Sequence, residues 1–273
     1  MTEMNTEYTF VNYEKACRTS LFSYLLALIG LASFFLATTA YFDIRLDRLF
    51  SSFGRLGHII GKRMFPPDIE YATSEMVVML LVQSIEMSVV GAALGFILVV
   101  PLAWFAAYNV TPGPKVLYLF GRASIVLARS IPSMMWGMIL VTMFGFGPLA
   151  GVIALMIGSI GFAGKLMAEQ VEAIDMQPIE ALTSTGSNSL GVFIFGVIPQ
   201  VSPAWAGIFV YNWDARLRSS TILGFVGAGG VGLALREQIS TLNYHGALGI
   251  IMAIMLLVIC SEFISVAVRK HFT

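Results

Sequence analysis

The chain has 273 residues, of which 57% are hydrophobic and 12% charged, and its formal net charge is zero. A water-soluble domain needs roughly 25% charged residues to cover its surface, so the composition excludes an ordinary soluble globule. The neutral balance also removes the electrostatic footprint that nucleic-acid binding requires.

The apolar residues fall into long runs, and a membrane helix needs about 20 of them in succession. Length and polarity place about six spans, at residues 21–42, 77–107, 123–144, 148–168, 193–211 and 246–268. The fold class is therefore an all-α polytopic transmembrane helical bundle. The first run is too long for a signal-peptide core and lacks a small-residue cleavage site, so it reads as a retained helix.

Residues 43–76 come next. Leu46, Leu49, Phe50, Phe53, Ile60 and Met64 recur at mostly helical spacing, with Arg45, Arg48, Arg55, Lys62 and Arg63 largely between them. This pattern fits an amphipathic helix lying in the lipid headgroups. It fits equally a small helix packed on the extracytoplasmic ends of the spans. Pro66 and Pro67 end it. The second span exceeds what a bilayer requires and is expected to tilt or protrude. Within it, Gly91 and Gly95 mark a close helix-packing face. The third span is interrupted at Ile131 and Pro132, which predicts a kink or a fresh helix start.

The longest polar interruption of the second half is 169–190, between the fourth and fifth spans. Glu180, Ala181 and Leu182 are followed by three residues, Gly186, nine residues, then Gly196, Val197, Ile198 and Pro199. A short helix at 180–185 would end at Gly186, where no Cβ opposes a sharp turn, and Pro199 would start the next span. This stretch resembles the coupling loop of importer permeases, in which Glu-Ala-Ala, three residues, Gly and nine residues precede Ile, any residue, Leu and Pro. Glu180, Ala181, Gly186 and Pro199 fall on that pattern. Leu182, Gly196 and Ile198 depart from it. The resemblance implies that this loop docks in a groove on a cytosolic ATPase, so the loop and, by counting spans, both termini are cytoplasmic. The Lys and Arg count alone does not decide the orientation.

A second resemblance covers nearly the whole chain. It is carried by Phe65, Pro66, Pro67 and Asp68, by 145–152, by Gly164, Lys165, Leu166 and Glu169, by 198–201, by 218–221, by 224–232 and by 269–272. In these stretches the sequence is similar to permease subunits of phosphonate importers, with phosphite and hypophosphite importers sharing much of the pattern. What this implies is a type I ABC importer permease in the bacterial inner membrane. Its implied partners are a second copy of itself, two cytosolic ATP-binding subunits, a periplasmic substrate-binding protein and membrane lipid. The resulting division is 1–20 cytoplasmic, 21–43 a first transmembrane helix, 44–76 periplasmic, 77–268 the permease core with its coupling loop at 169–192, and 269–273 cytoplasmic.

Candidates for the translocation pathway are Arg129 and Pro132 at the break, Arg216 and Arg218 just past the fifth span, and Gly227, Gly229 and Gly230. Arginine's planar fork suits phosphorus oxyanions. Against this, Asp214 lies close enough in sequence to neutralise Arg216, and Arg129 could cap a broken helix. Residues 227–232 also satisfy GxGxxG, but that fingerprint needs a strand before it and a βαβ unit around it, so the glycines read as backbone-packing positions. Lys165 and Glu169 have the spacing of a helix-surface pair. No P-loop, HExxH or GxSxG occurs. Cys17 and Cys260 lie far apart, and His58, His245 and His271 form no metal grouping. The chain is thus expected to hydrolyse nothing itself and to hold no cofactor. The alternatives left open are an importer permease for another small solute and an ion-coupled secondary transporter.

Overall fold

The computed structural model describes residues 4–42 and 46–272, and it is helical throughout, with no strand among them. Residues 1–3, 43–45 and Thr273, including Arg45 of the predicted basic face, lie outside the described residues. The chain divides into two units, Met1–Lys62 and Arg63–Thr273.

In the first unit, helix α1 spans Met4–Tyr41, and its stretch Ser23–Tyr41 is long and apolar enough to cross a membrane. None of that stretch is buried within the chain. Helix α2, Leu46–Ile59, follows and runs into a π-helical turn at Ile60–Met64.

The second unit begins with the short helix α3, Ile69–Ala72, whose N-cap Asp68 accepts the Tyr71 amide at 2.9 Å. Helix α4 spans Glu75–Ala106, α5 Lys115–Ser130, α6 Ser133–Phe144 and α7 Pro148–Glu172. The polar segment between α7 and α10 holds α8, Gln177–Ser184, and α9, Ser189–Val192. The chain closes with α10, Ile198–Leu223, α11, Gly232–Ser240, and α12, Tyr244–Phe272. Among the described residues, five helices are long and apolar enough to cross a membrane, or six if the bent pair α5–α6 counts as one.

One expectation is borne out in detail and one is corrected. The third span is not one rod: α5 and α6 meet at 90° across Ile131 and Pro132. The pyrrolidine ring disfavours α conformation in the preceding residue, and Ile131 is extended. The fifth span does not end at Tyr211. The helix continues to Leu223, because Asn212, Asp214 and Arg216 are buried rather than solvated. Arg216 and Arg218 therefore lie within the span, not past it.

Lipid tails are as apolar as leucine, so membrane helices associate through close packing rather than water exclusion. Here α4 lies directly on α7. A Cβ at Gly91 would sit 2.7 Å from the Leu155 Cβ, and one at Gly95 would sit 2.4 Å from the Ser159 Cβ. The pairings 91 with 155 and 95 with 159 make the two helices run in the same direction. Helix α10 runs back between them and α12, its Trp205 indole donating to the Met167 carbonyl at 3.4 Å. At the α7 C-terminal end a cluster of Val99, Ala103, Met167, Val171, Ile179, Phe193 and Trp205 joins the bundle to the segment that carries α8 and α9.

Candidate functional site

The segment between α7 and α10 is built as a presented helix on a fixed base. Helix α8 buries one side chain, Ile179, while Glu180, Ala181 and Thr183 are exposed. Its entry is fixed by Asp175, whose carboxylate accepts the Gln177 amide at 3.0 Å. Gln200, in the first turn of α10, clamps both ends of the segment. Its Oε1 accepts the Asp175 amide at 3.1 Å, and its Nε2 donates to the Gly196 carbonyl at 2.8 Å.

The exit is a Schellman cap. The Gly186 amide donates to the Thr183 carbonyl at 3.0 Å, and the Ser187 amide to the Leu182 carbonyl at 3.3 Å. Gly186 holds φ at +81°, the left-handed conformation that a residue without Cβ adopts freely. Asn188 then caps α9, accepting the Gly191 amide at 2.8 Å. A π-helical turn, Phe193–Val197, leads into α10, and Pro199 occupies its first turn, where its missing N–H is not needed. The sequence departures at Leu182 and Gly196 meet each other. A Cβ on Gly196 would lie 3.0 Å from the Leu182 Cδ1 and 2.7 Å from the Ile179 Cδ1. The larger residue at 182 thus occupies space that the glycine vacates.

Sequence reasoning missed what ties this segment to the rest of the bundle. Glu172, at the end of α7, pairs with Arg122 of α5 at 2.7 Å and accepts the Tyr108 amide at 3.3 Å. The Asn109 side chain donates through Nδ2 to the Val171 carbonyl at 3.0 Å. The partners are fifty residues or more apart, so no local pattern announces them. A cavity of about 220 Å³ lies between the 107–114 turn and α8, lined by Trp104, Asn109, Thr111, Ile179, Thr183 and Phe193 among others.

Deeper in the bundle, the predicted pathway residues divide into three groups. Arg129 and Pro132 are exposed at the bend between α5 and α6, and α7 approaches there so closely that a Cβ on Gly161 would be 2.6 Å from the Arg129 amide nitrogen. Arg216 is buried, with its Nη1 donating to the Ser133 Oγ at 3.1 Å. Asp214 does not neutralise it. That carboxylate pairs instead with Arg218 at 2.5 Å and accepts the Ser261 hydroxyl at 2.8 Å. Arg218 also reaches Glu262 of α12 at 3.5 Å, which in turn meets Arg269 at 3.6 Å. Lys165 and Glu169 form the expected surface pair at 3.4 Å.

The glycines form the third group. Gly227, Gly229 and Gly230 are buried and all have positive φ, between +83° and +87°. They turn the chain sharply between α10 and α11. The Gly230 and Val231 amides are taken by Gln83 Oε1 and Ser84 Oγ of α4, at 2.8 and 2.9 Å, and the Gly227 carbonyl accepts the Gly147 amide at 3.1 Å. With those donors engaged and no strand before them, the GxGxxG spacing forms no nucleotide cradle.

Residues 99–273 match the family model described as binding-protein-dependent transport system inner membrane component. The chain belongs to that family. It is a membrane-spanning permease subunit, and the match takes in the segment between α7 and α10, the bend and the glycine turn while leaving α1 to α3 and most of α4 outside. The relatives of this family member include a phosphate-import permease protein of Mycolicibacterium smegmatis, 40% identical over 77% of this chain. The chain spans 39% of that relative's length. A phosphite transport system permease protein of Stutzerimonas stutzeri is 37% identical over 70% of each chain. Among solved structures, an inward-facing form of the MetNI methionine ABC transporter has a TM-score of 0.61. It is 20% identical and covers 74% of this chain and 100% of that one. That likeness fixes the fold of this permease as the type I importer kind.

Proposed function

We propose that this permease imports a phosphorus oxyanion of the phosphonate or phosphite type. It works by alternating access, as two copies joined to two ATP-binding subunits and fed by a periplasmic binding protein. The observation that carries the coupling half is α8. Its outer face, Glu180, Ala181 and Thr183, is exposed on a helix locked at entry by Asp175 and at exit by Gly186. A helix fixed at both ends transmits a push; a frayed loop absorbs it. ATP binding by the partner would then favour one of two packed states and product release would restore the other.

The substrate half is supported by relatives of 31–40% identity named for phosphate or phosphite transport, against 29% over 40% of this chain for a methionine import permease. On this reading the coupling segment and the C-terminal end of α12 face the cytoplasm, since α12 starts beside Asp68 and Ala72 and runs with α4. The network Asp214, Arg218 and Glu262 and the turn at Gly227, Gly229 and Gly230 brace the moving half of the pathway, which opens at the Arg129–Pro132 bend. The test is growth. A host lacking its own phosphorus-anion importers and supplied with this permease, its ATPase and its binding protein should grow on methylphosphonate or phosphite as sole phosphorus source. Growth restored only for methionine auxotrophy would refute the substrate class.

A further inference from the structure

Arg216 is 8% exposed at membrane depth, and no carboxylate lies within ion-pair distance of it among the described residues. Its Nε has no hydrogen-bond partner. A guanidinium in that position is costly unless something neutralises it, and Asp214 is committed to Arg218 and Ser261. The Phe162 ring face, 6.0 Å from the guanidinium carbon, offsets only part of that cost.

Three helices converge on the charge. Its Nη1 touches the hydroxyl of Ser133, the first residue of α6. Helix α6 starts afresh after the 90° bend, and its N-cap Pro132 supplies no side-chain cap; the Met135 and Trp136 amides reach the Pro132 carbonyl, which leaves those of Ser133 and Met134 at the positive end of the helix dipole. Helix α7 makes room with Gly158, where a Cβ would lie 2.2 Å from the Arg216 Nη1 and 2.4 Å from the Ser133 Oγ. One turn earlier on the same face of α10, Asn212 is fully buried with neither amide atom partnered. The start of α6 thus stands beside an arginine that no carboxylate neutralises and a side-chain amide with both atoms unpartnered, so positive charge gathers there without a balancing anion.

We propose that Arg216, Ser133 and the open N-terminus of α6 form a transient binding point for a tetrahedral oxyanion on its way through the permease. The inference rests on the importer reading above and adds to it a specific site within the permease. Gly158 positions the guanidinium and takes no part in contact with the anion.

The test uses the assembled complex of permease and ATPase in lipid nanodiscs, without binding protein, and 31P saturation-transfer NMR with methylphosphonate as probe. Wild type should show a saturable signal, competed by phosphite. Arg216→Gln should lose it, and Gly158→Ala, which keeps the charge but displaces it, should weaken binding at least about tenfold. Copurification of the ATPase shows that each variant is assembled, and Gly158→Ala serves if Arg216→Gln is not. In a second arm, uptake of the probe is measured in proteoliposomes with binding protein. A wild-type signal unchanged in both variants, or no saturable signal in wild type, overturns the site. Uptake of methylphosphonate with no such signal leaves the importer reading standing. Uptake of only an unrelated solute removes that reading as well.

Discussion

Gly186 separates backbone conformation from surface shape, because its φ is +81° and no atom lies within 4 Å of where a Cβ would stand. A substitution there meets open space, so its whole cost is conformational. Left-handed backbone costs an ordinary L-residue roughly 1–2 kcal/mol, and a β-branched residue more, whereas asparagine populates that region several-fold more readily. A cost of about 1–2 kcal/mol shifts the ratio of capped to uncapped α8 by roughly 5- to 30-fold. If ATP-driven closure is delivered through a capped α8, uptake should rank Gly186 first, then Gly186→Asn, Gly186→Ala and Gly186→Val. The valine variant should be nearly inactive while still inserted in the membrane. The assay is uptake of labelled substrate in cells, normalised to membrane-inserted permease by immunoblot. Equal damage from asparagine and valine would show that the exposed shape of residue 186 matters and its φ does not. Full uptake by Gly186→Val would refute force transmission through this cap.

Gly95→Val should force α4 from α7, because even a Cβ would sit 2.4 Å from the Ser159 Cβ. Overpacking of this kind costs about 1–3 kcal/mol, seen as a lowered aggregation temperature in detergent, whereas Gly207→Ala, at an open position, should leave it unchanged or raised. Leu182→Ala and Gly196→Ala should be non-additive by roughly 0.5–3 kcal/mol in a double-mutant cycle on thermal stability, since both act on the same space; additive effects would disprove the compensation. Glu172→Gln keeps an acceptor for the Tyr108 amide and loses only the charge of the partly buried pair with Arg122, so it should cost about 1 kcal/mol. Glu172→Ala, which removes both links, should destabilise more in the same assay.

Much of this architecture was legible in the residues. Apolar runs placed the spans, Pro132 marked the break, Gly91 and Gly95 marked the α4–α7 contact, and the residues from Glu180 to Gly186 marked a short helix ending in a left-handed turn. What local pattern could not supply was pairing at a distance. Asp214 looked like the partner of Arg216 because they are two residues apart, yet on a helix such residues point to different faces, and the carboxylate joins Arg218 four residues on. The same polarity cut the fifth span short at Tyr211, because charges that satisfy one another inside a bundle cannot be told by composition from charges in water. Arg122 and Glu172, and Gln83 with Gly230, meet only through the tertiary fold. That amides of the glycine run would be bound to α4 was invisible in the spacing.

The central claim, an ATP-driven importer of a phosphorus oxyanion acting through α8, is tested most directly by ATP hydrolysis in the reconstituted complex. Permease, ATPase and binding protein are placed in lipid with no proton or sodium gradient, and methylphosphonate, phosphite, phosphate and methionine are added in turn. The account predicts that a phosphorus oxyanion, delivered by the binding protein, stimulates hydrolysis and that Gly186→Val abolishes the stimulation. Stimulation by methionine alone, or transport that needs an ion gradient and no ATP, would contradict it.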